Sequence, residues 1–357
     1  MLGTTHSRHP LTSLPLRLDA KNLRALARGC GVLAAGAGGD PEVGLLMALV
    51  AVQAYGPVPV IGLDELADDA LVVPCGLIGA SQLANERIFS GDEGSLLSRR
   101  FRELHQTRVG ALMCFETAGA NGLLPVMWAA RARLPLVDAD GAGRSFPGFQ
   151  QRAMHVAGVP ASPVVLTDGR GNVLVIHAVN DDAAARLARR GAVGLGGVCA
   201  AAAYGMTARR ARTSTIAGSI ARAVALGHAI DSREHEVRPA AVAEALGATV
   251  LIEGRVTDLG RNSATIDGTL VDAGRQLRVE LQSGFLIAFE DGVVTAAVPD
   301  IIAVLAVDSG APIATAALRR DDRVAVLSAP ADPVWQTEAG LAVAGPGAFG
   351  YGIEQAN

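Results

Sequence analysis

The hydrophobic periodicity of this 357-residue chain changes character once, and that change constrains the architecture more than any other feature. Before residue 168, short continuous apolar runs at 58–61, 71–74, 109–115 and 134–138 alternate with helical stretches. Strands buried on both faces of a mostly parallel sheet read this way. Beyond Gly247 the apolar residues recur at every second position, in ATVLIEGRV, QLRVELQ, FLIAFEDGVVTAAV and IIAVLAV, with turns at Asp267-Gly268, Ala273-Gly274 and Asp291-Gly292. That is the pattern of antiparallel strands with one face in a core. The expected fold class is an α/β N-terminal domain, a mostly parallel sheet with flanking helices, followed by a β-rich α+β C-terminal domain. Residues 1–18 read as a loose leader and 19–168 as the α/β domain. The C-terminal domain spans 169–357, with an α+β start at 169–246 and an all-β unit at 247–350.

Local signals refine this outline. Leu18, Leu23 and Leu26 give residues 19–28 helical spacing, and Gly29 and Gly31 are expected to end that helix. Residues 32–36 then read as a short strand running into GAGGDPE. Asp40 as cap, Pro41 at the first position and Glu42 in the first turn start a helix that reaches Tyr55. Strand, glycine turn and helix make a βα unit. Further on, 164–167 and 173–179 form a hairpin, and helices follow at 181–190 and 214–230.

Composition removes several function classes. The net charge of -4 and the lack of a basic block argue against a nucleic-acid partner. Lys21 is the only lysine, so no Walker lysine follows a glycine loop and a Schiff base has one place to form. Gly36 and Gly38 give GxG, yet Pro41 stands where the dinucleotide fingerprint needs glycine, so no nucleotide cofactor is expected. Cys30, Cys75, Cys114 and Cys199 form no CxxC pair and read as reduced thiols. The N-terminus is too polar for a signal peptide and the apolar run at 43–54 too short for a span, so no membrane partner is expected and the expected location is cytoplasmic.

Chemistry concentrates between Phe115 and Phe149. On the parallel-sheet reading, Asp40, Glu116 and Asp138 each follow the carboxyl end of a strand, where open α/β sheets form their ligand crevices. Asp140 lies beside them. These four acids are the candidates for a divalent metal, and Glu116, Asp138 and Asp140 are the candidates for a general base. The bland alternative is that DADG is a capped, solvated turn. Gly36, Gly38, Gly39 and Asp40 can present backbone N–H groups to an anion or simply form a tight turn. Arg144 either pairs with the acids or offers its fork to a substrate carboxylate. Asn121 either caps the following helix or bonds a substrate amide. His155 is within reach of the same crevice. His228 and His235 read as surface residues, and Trp128 and Trp335 as core anchors.

The order GAGGDP, IGAS at 78–81, ETAGANGLLP at 116–125 and DADGAGRSFP at 138–147 resembles the S-methyl thiohydantoin desulfurase-like family. LIAFEDGVVTAAVPDIIAVLAVDSGAPI and GPGAFGY at 345–351 extend the resemblance over nearly the whole chain. The resemblance implies an N-terminal domain bearing the site, a five-membered cyclic ureide or thiohydantoin as small-molecule substrate, and an association with hydantoinase or oxoprolinase proteins. Ala37 replaces an expected glycine and Ser81 an expected proline. Ser283-Gly284-Phe285 stands where the polar Asn-Glu-Asn is expected.

The expected function is hydrolase-like attack on a hydantoin- or thiohydantoin-like ring. Glu116 or Asp138 activates water, Asn121 and the Gly36-to-Asp40 turn bond the developing anion, and Arg144 clamps a substrate carboxylate. A bridging divalent metal would serve the same end. The alternative is a non-catalytic metabolite-binding protein or a partner subunit of a hydantoinase or oxoprolinase. The assembly is open between that partner and a homo-oligomer.

Overall fold

The computed structural model describes residues 16–37, 39–80, 83–84, 87–231 and 239–353. Gly38, Ser81, His235 and the stretch before Leu16 lie outside the described residues.

The strands of the first sheet are β1 (Arg17–Leu18), β2 (Val58–Ile61), β3 (Leu71–Gly79), β4 (Val109–Cys114), β5 (Leu136–Asp140), β6 (Val164–Thr167), β7 (Val173–Ile176), β8 (Val198–Ala202), β9 (Met206–Thr207) and β10 (Ile216–Ala217). Their order is β1-β2-β5-β4-β3-β8-β6-β7, with β9 on β3 and β10 on β5. Neighbours among β2, β5, β4 and β3 run parallel, and the remaining pairings are antiparallel. Strands β8 to β10 lie beyond residue 168, so the first sheet draws on chain well past that point. Arg17 and Leu18, at the end of the expected leader, pair with β2, and Leu18 is fully buried.

Helices cover both faces. They are α1 (Ala20–Leu33), α2 (Pro41–Tyr55), α3 (Glu93–His105), α4 (Leu124–Ala132), α5 (Ala153–Val156), α6 (Asp181–Gly194), α7 (Ala208–Ala211), α8 (Ser219–Asp231), α9 (Pro239–Leu246) and α10 (Glu338–Ala344). Val73, Cys75, Leu112 and Leu136 pack toward the layer containing α1, α2, α4 and α8. Their sequence neighbours Val72, Ala111, Met113 and Val137 pack with Ala184, Ala188 and Ala192 of α6. Side chains alternate across a strand, so apolar runs of this kind fill two cores at once.

The strand expected at 32–36 is corrected. Helix α1 runs through Gly29 and Gly31 to Leu33, and residues 34–36 form a turn. A glycine costs a helix about 1 kcal/mol relative to alanine, but here tertiary packing reverses the preference. A Cβ on Gly29 would lie 2.0 Å from the Ala223 carbonyl oxygen, and one on Gly227 would lie 1.8 Å from that of Ala25. Helices α1 and α8 touch backbone to backbone. Asp40 therefore follows a helix rather than a strand.

The second sheet is antiparallel throughout, in the order β15-β14-β13-β12-β11-β17-β16. Its strands are β11 (Thr249–Leu259), β12 (Ser263–Gly268), β13 (Gln276–Leu281), β14 (Phe285–Glu290), β15 (Val293–Ala297), β16 (Ile301–Ala306) and β17 (Arg323–Ala329). Ile252, Val256, Ile266, Leu277, Val279 and Val324 form its core, as the period of two requires. Among the described residues no helix is long and apolar enough to cross a membrane.

Specific bonds join the two units. The Phe285 amide donates to the Ala35 carbonyl (2.9 Å), the Thr315 amide to that of Gly36 (3.1 Å), and Trp335 Nε1 to that of Ala142 (2.9 Å). These contacts seat the second sheet against the carboxyl edge of the parallel strands.

Candidate functional site

Glu116 lies two residues past the end of β4 and is 2% exposed. Its Oε1 accepts from Asn121 Nδ2 and Ser145 Oγ, each at 3.0 Å. Its Oε2 accepts from the Phe146 amide at 3.1 Å and pairs with Arg152 Nη2 at 3.2 Å. A carboxylate offers about four lone-pair positions, and all are filled. Asn121 turns its own Oδ1 to the Leu77 amide (2.7 Å), so it ties β3 to Glu116. It does not cap α4.

Asp140 ends β5 and is fully buried. It accepts from the amides of Thr117 (2.6 Å), Ala142 (2.9 Å) and Gly143 (2.8 Å). Burial raises its pKa, and these backbone donors oppose the rise. The three bonds hold the DADG turn, which Gly143 completes at φ +68°.

Asp138 differs. Its Oδ1 accepts from the amides of Ile220 (2.9 Å) and Ala221 (3.0 Å) in the first turn of α8. Its other oxygen accepts from no described residue. Burial again raises the pKa, against those two bonds. Beside it, Thr117 Oγ1 donates to Ser219 Oγ at 3.3 Å.

Arg222 follows in the same helix and was not anticipated. Its half-buried guanidinium hydrogen-bonds to no described residue and lies in the field of Asp140 and Asp332; burial lowers its pKa. The one signal in the sequence is that it is the lone arginine in a helix rich in small and apolar residues, SIARAVALGHAID.

Arg144 is 2% exposed and points to the second sheet. Its Nη1 donates to the carbonyls of Pro299 (3.1 Å) and Asp300, and its guanidinium stacks 4.8 Å from the Phe146 ring centre. Burial brings its pKa down to about 10.

The glycine turn has a mainly structural setting. Asp40 is exposed and caps α2, its Oδ1 accepting from the Glu42 amide at 2.9 Å. Gly39 abuts Ala120, 3.7 Å from the place of its missing Cβ. Gly36, at φ +83°, lies beneath Phe285; a Cβ there would sit 2.6 Å from the ring. The turn thus lies between the 119–122 loop and the Ser283-Gly284-Phe285 segment.

Asp40, Glu116, Asp138 and Asp140 do not gather around a common centre. Among the described residues no group of three or more His, Cys, Asp or Glu is placed to hold a metal ion. The donor set does not fit a bridging metal. His155 belongs to a separate cluster, its Nδ1 2.6 Å from Asp181 Oδ2, with the Tyr204 hydroxyl donating to the same carboxylate at 3.2 Å. The hydrogen bond to Asp181 raises its pKa. His228 Nε2 lies 3.0 Å from Asn22 Oδ1. All four cysteines are buried free thiols, and burial pushes their pKa values up, that of Cys199 to about 12.

An α/β layer with acids at the carboxyl edge of its parallel strands, closed by an antiparallel sheet, defines a two-domain protein with its polar cluster at the junction. The chain belongs to the S-Me-THD-like family: the family's N-terminal domain matches residues 21–178 and its C-terminal domain residues 179–357. A crystal structure of a protein from Chromobacterium violaceum has the same fold, with a TM-score of 0.81 and 21% identity over 96% of this chain and 99% of that one. No curated protein matches the sequence.

Proposed function

We propose that this protein hydrolyses a thiohydantoin- or hydantoin-like five-membered ring, with Asp138 as the base that activates water. The observation that carries this reading is the contrast among the acids. Burial raises the pKa of both Asp138 and Asp140, but Glu116 and Asp140 have their oxygens occupied, whereas Asp138 keeps one oxygen unbonded within the described residues. A base whose pKa is raised by burial is better matched to proton transfer near neutral pH than an ordinary aspartate. Family membership supports the substrate class.

On an S-methyl thiohydantoin, Asp138 takes a proton as the water oxygen bonds to the carbon bearing the S-methyl group. The C–S bond then breaks, methanethiol leaves with the proton from Asp138, and the new hydroxyl proton moves to the ring nitrogen to give the hydantoin. Arg222 supplies the positive charge that offsets the developing anion, a role for which its guanidinium has no competing hydrogen bond. Glu116, Asn121 and Arg152 hold the strand ends in place.

The test is to offer purified protein S-methyl thiohydantoins, hydantoins and 5-oxoproline while methanethiol and ring-opened products are followed. Asp138→Asn should abolish turnover without unfolding the protein. Wild-type rates in that variant would exclude Asp138 as base.

A second reading, a metabolite-binding protein or a subunit of a hydantoinase or oxoprolinase, draws on Phe285. Its ring sits on Gly36 where the family resemblance implies polar residues. Thermal stabilisation by a hydantoin without product would favour it.

A further inference from the structure

Two open troughs, of about 430 and 320 Å³, run along the outer face of α3 and meet at Ser95 and Arg99. Arg170 lines the first, and Arg102 and Arg108 line the second. All four arginines are exposed, and none of their side chains makes an ion pair or hydrogen bond with a described residue. The neighbouring charges are spoken for: Arg100 pairs with Glu103 and Asp92 with Arg131, each at 2.6 Å. The strip is therefore locally cationic on a chain whose net charge is -4.

The turn that carries Arg170 is held in place. Asp168 Oδ1 accepts from the amides of Arg170 (2.8 Å) and Asn172 (3.2 Å), which shapes this hairpin turn. Ser90 Oγ donates to the Gly169 carbonyl at 3.1 Å. Gly169, at φ +74°, packs so closely on the start of α3 that a Cβ would lie 2.2 Å from Glu93 Oε1. The backbone that carries Arg170 is thus held against the start of α3 before any ligand arrives, which lowers part of the ordering cost of binding.

We propose that this strip docks an extended acidic segment of a partner protein. The guanidinium fork matches carboxylates in geometry as well as charge. No aromatic side chain lines either trough, so a nucleobase would find no stacking platform. The troughs are open, as a passing peptide chain requires, and Leu96, Val109 and Leu134 give them an apolar floor. From residue 95 to 102 the helix advances about 10 Å at 1.5 Å per residue, and Arg170 and Arg108 contribute from outside it. At about 3.3 Å per residue, an acidic run of roughly five residues would span the strip.

A dye-labelled hexaglutamate peptide titrated into the full chain and followed by fluorescence anisotropy tests the proposal. We expect saturable binding in 50 mM salt, weakened about 10-fold or more in 300 mM salt and by R99E/R102E/R170E, with the thermal midpoint unchanged. If the triple variant unfolds, R99Q and R170Q singly should each weaken binding while remaining folded. Absence of binding to the wild type, or equal binding by the folded variants, would overturn the proposal. So would a heparin fragment or an oligothymidylate binding as tightly as the peptide, which would mean unselective polyanion binding, or pyrophosphate binding in place of it.

Discussion

Arg152 Nη2 lies 3.2 Å from Glu116 Oε2, and their side chains are 8% and 3% exposed. This pair joins the loop that follows β4 to the segment that follows DADGAGRSFP. Removing one member leaves the other charge in the interior, which costs about 3–5 kcal/mol. Arg152→Met should therefore lower the urea midpoint sharply. Combining it with Glu116→Gln should recover part of the loss, and a double-mutant cycle reads the coupling directly.

Asp138 makes activity and stability depend on pH in opposite senses. As a base it must be ionised, so kcat/KM should rise with pH through a midpoint above the ordinary aspartate value of 3.8. For stability, a raised folded pKa means that the folded state binds the proton more tightly than the unfolded chain. Its contribution falls as pH rises from 3.8 through the raised value and is constant above that. Asp138→Asn keeps an oxygen to cap α8 and removes this slope, whereas Asp138→Ala loses the cap and should cost about 1 kcal/mol. Urea midpoints from pH 4.5 to 8 check both.

Gly29 and Gly227 should tolerate no side chain. Alanine at either would bring a Cβ within 2.0 Å of a backbone oxygen in the facing helix. We expect a loss of about 3 kcal/mol, since two packed backbones cannot yield as a flexible side chain can. Gly194→Ala, at the end of α6 with nothing within 4 Å, should be neutral or stabilising by a few tenths of a kcal/mol. Thermal melts of the three variants make the comparison.

Arg144 should behave as a clasp between the sheets rather than as a substrate clamp. Its Nη1 is taken by the Pro299 and Asp300 carbonyls and its Nε by the Ser145 carbonyl, and Trp335 bonds Ala142 two residues before it. Arg144→Met should lower the thermal midpoint and shift tryptophan emission to the red, while leaving KM unchanged in the folded fraction. A raised KM with an unchanged midpoint would assign it to substrate instead.

Much of the fold was legible because the governing signals are local. The double burial of β3 to β5 appears as unbroken apolar runs, the second sheet as alternation, and the start of α2 as Asp40-Pro41-Glu42. The expected strand at 32–36 failed because Gly29 and Gly31 look like a helix stop, and their reason for being in α1, the approach of Ala223 and Pro312, lies far along the chain. The acids were identifiable by type and position, but their differing surroundings were not. What separates Asp138 from Glu116 is the amides of Ile220 and Ala221 on one side, and Ser145, Phe146 and Arg152 on the other. Arg222 carried only the weak signal of a lone arginine in its helix, because the acids whose field it lies in, Asp140 and Asp332, are distant in sequence.

The placement of β8 has a consequence for the order in which the protein can be made. The β6–β7 hairpin joins the rest of its sheet only through β8, which lies between β3 and β6. A nascent chain that has emerged as far as residue 178 therefore holds a hairpin with no neighbour to pair with and leaves β3 with an open edge. The N-terminal layer must wait for residues 198–202 before its hydrogen bonds close, so the two segments matched by the family cannot mature one after the other as beads on a string. Such late, long-range closure slows folding and lengthens the exposure of unpaired edges during synthesis.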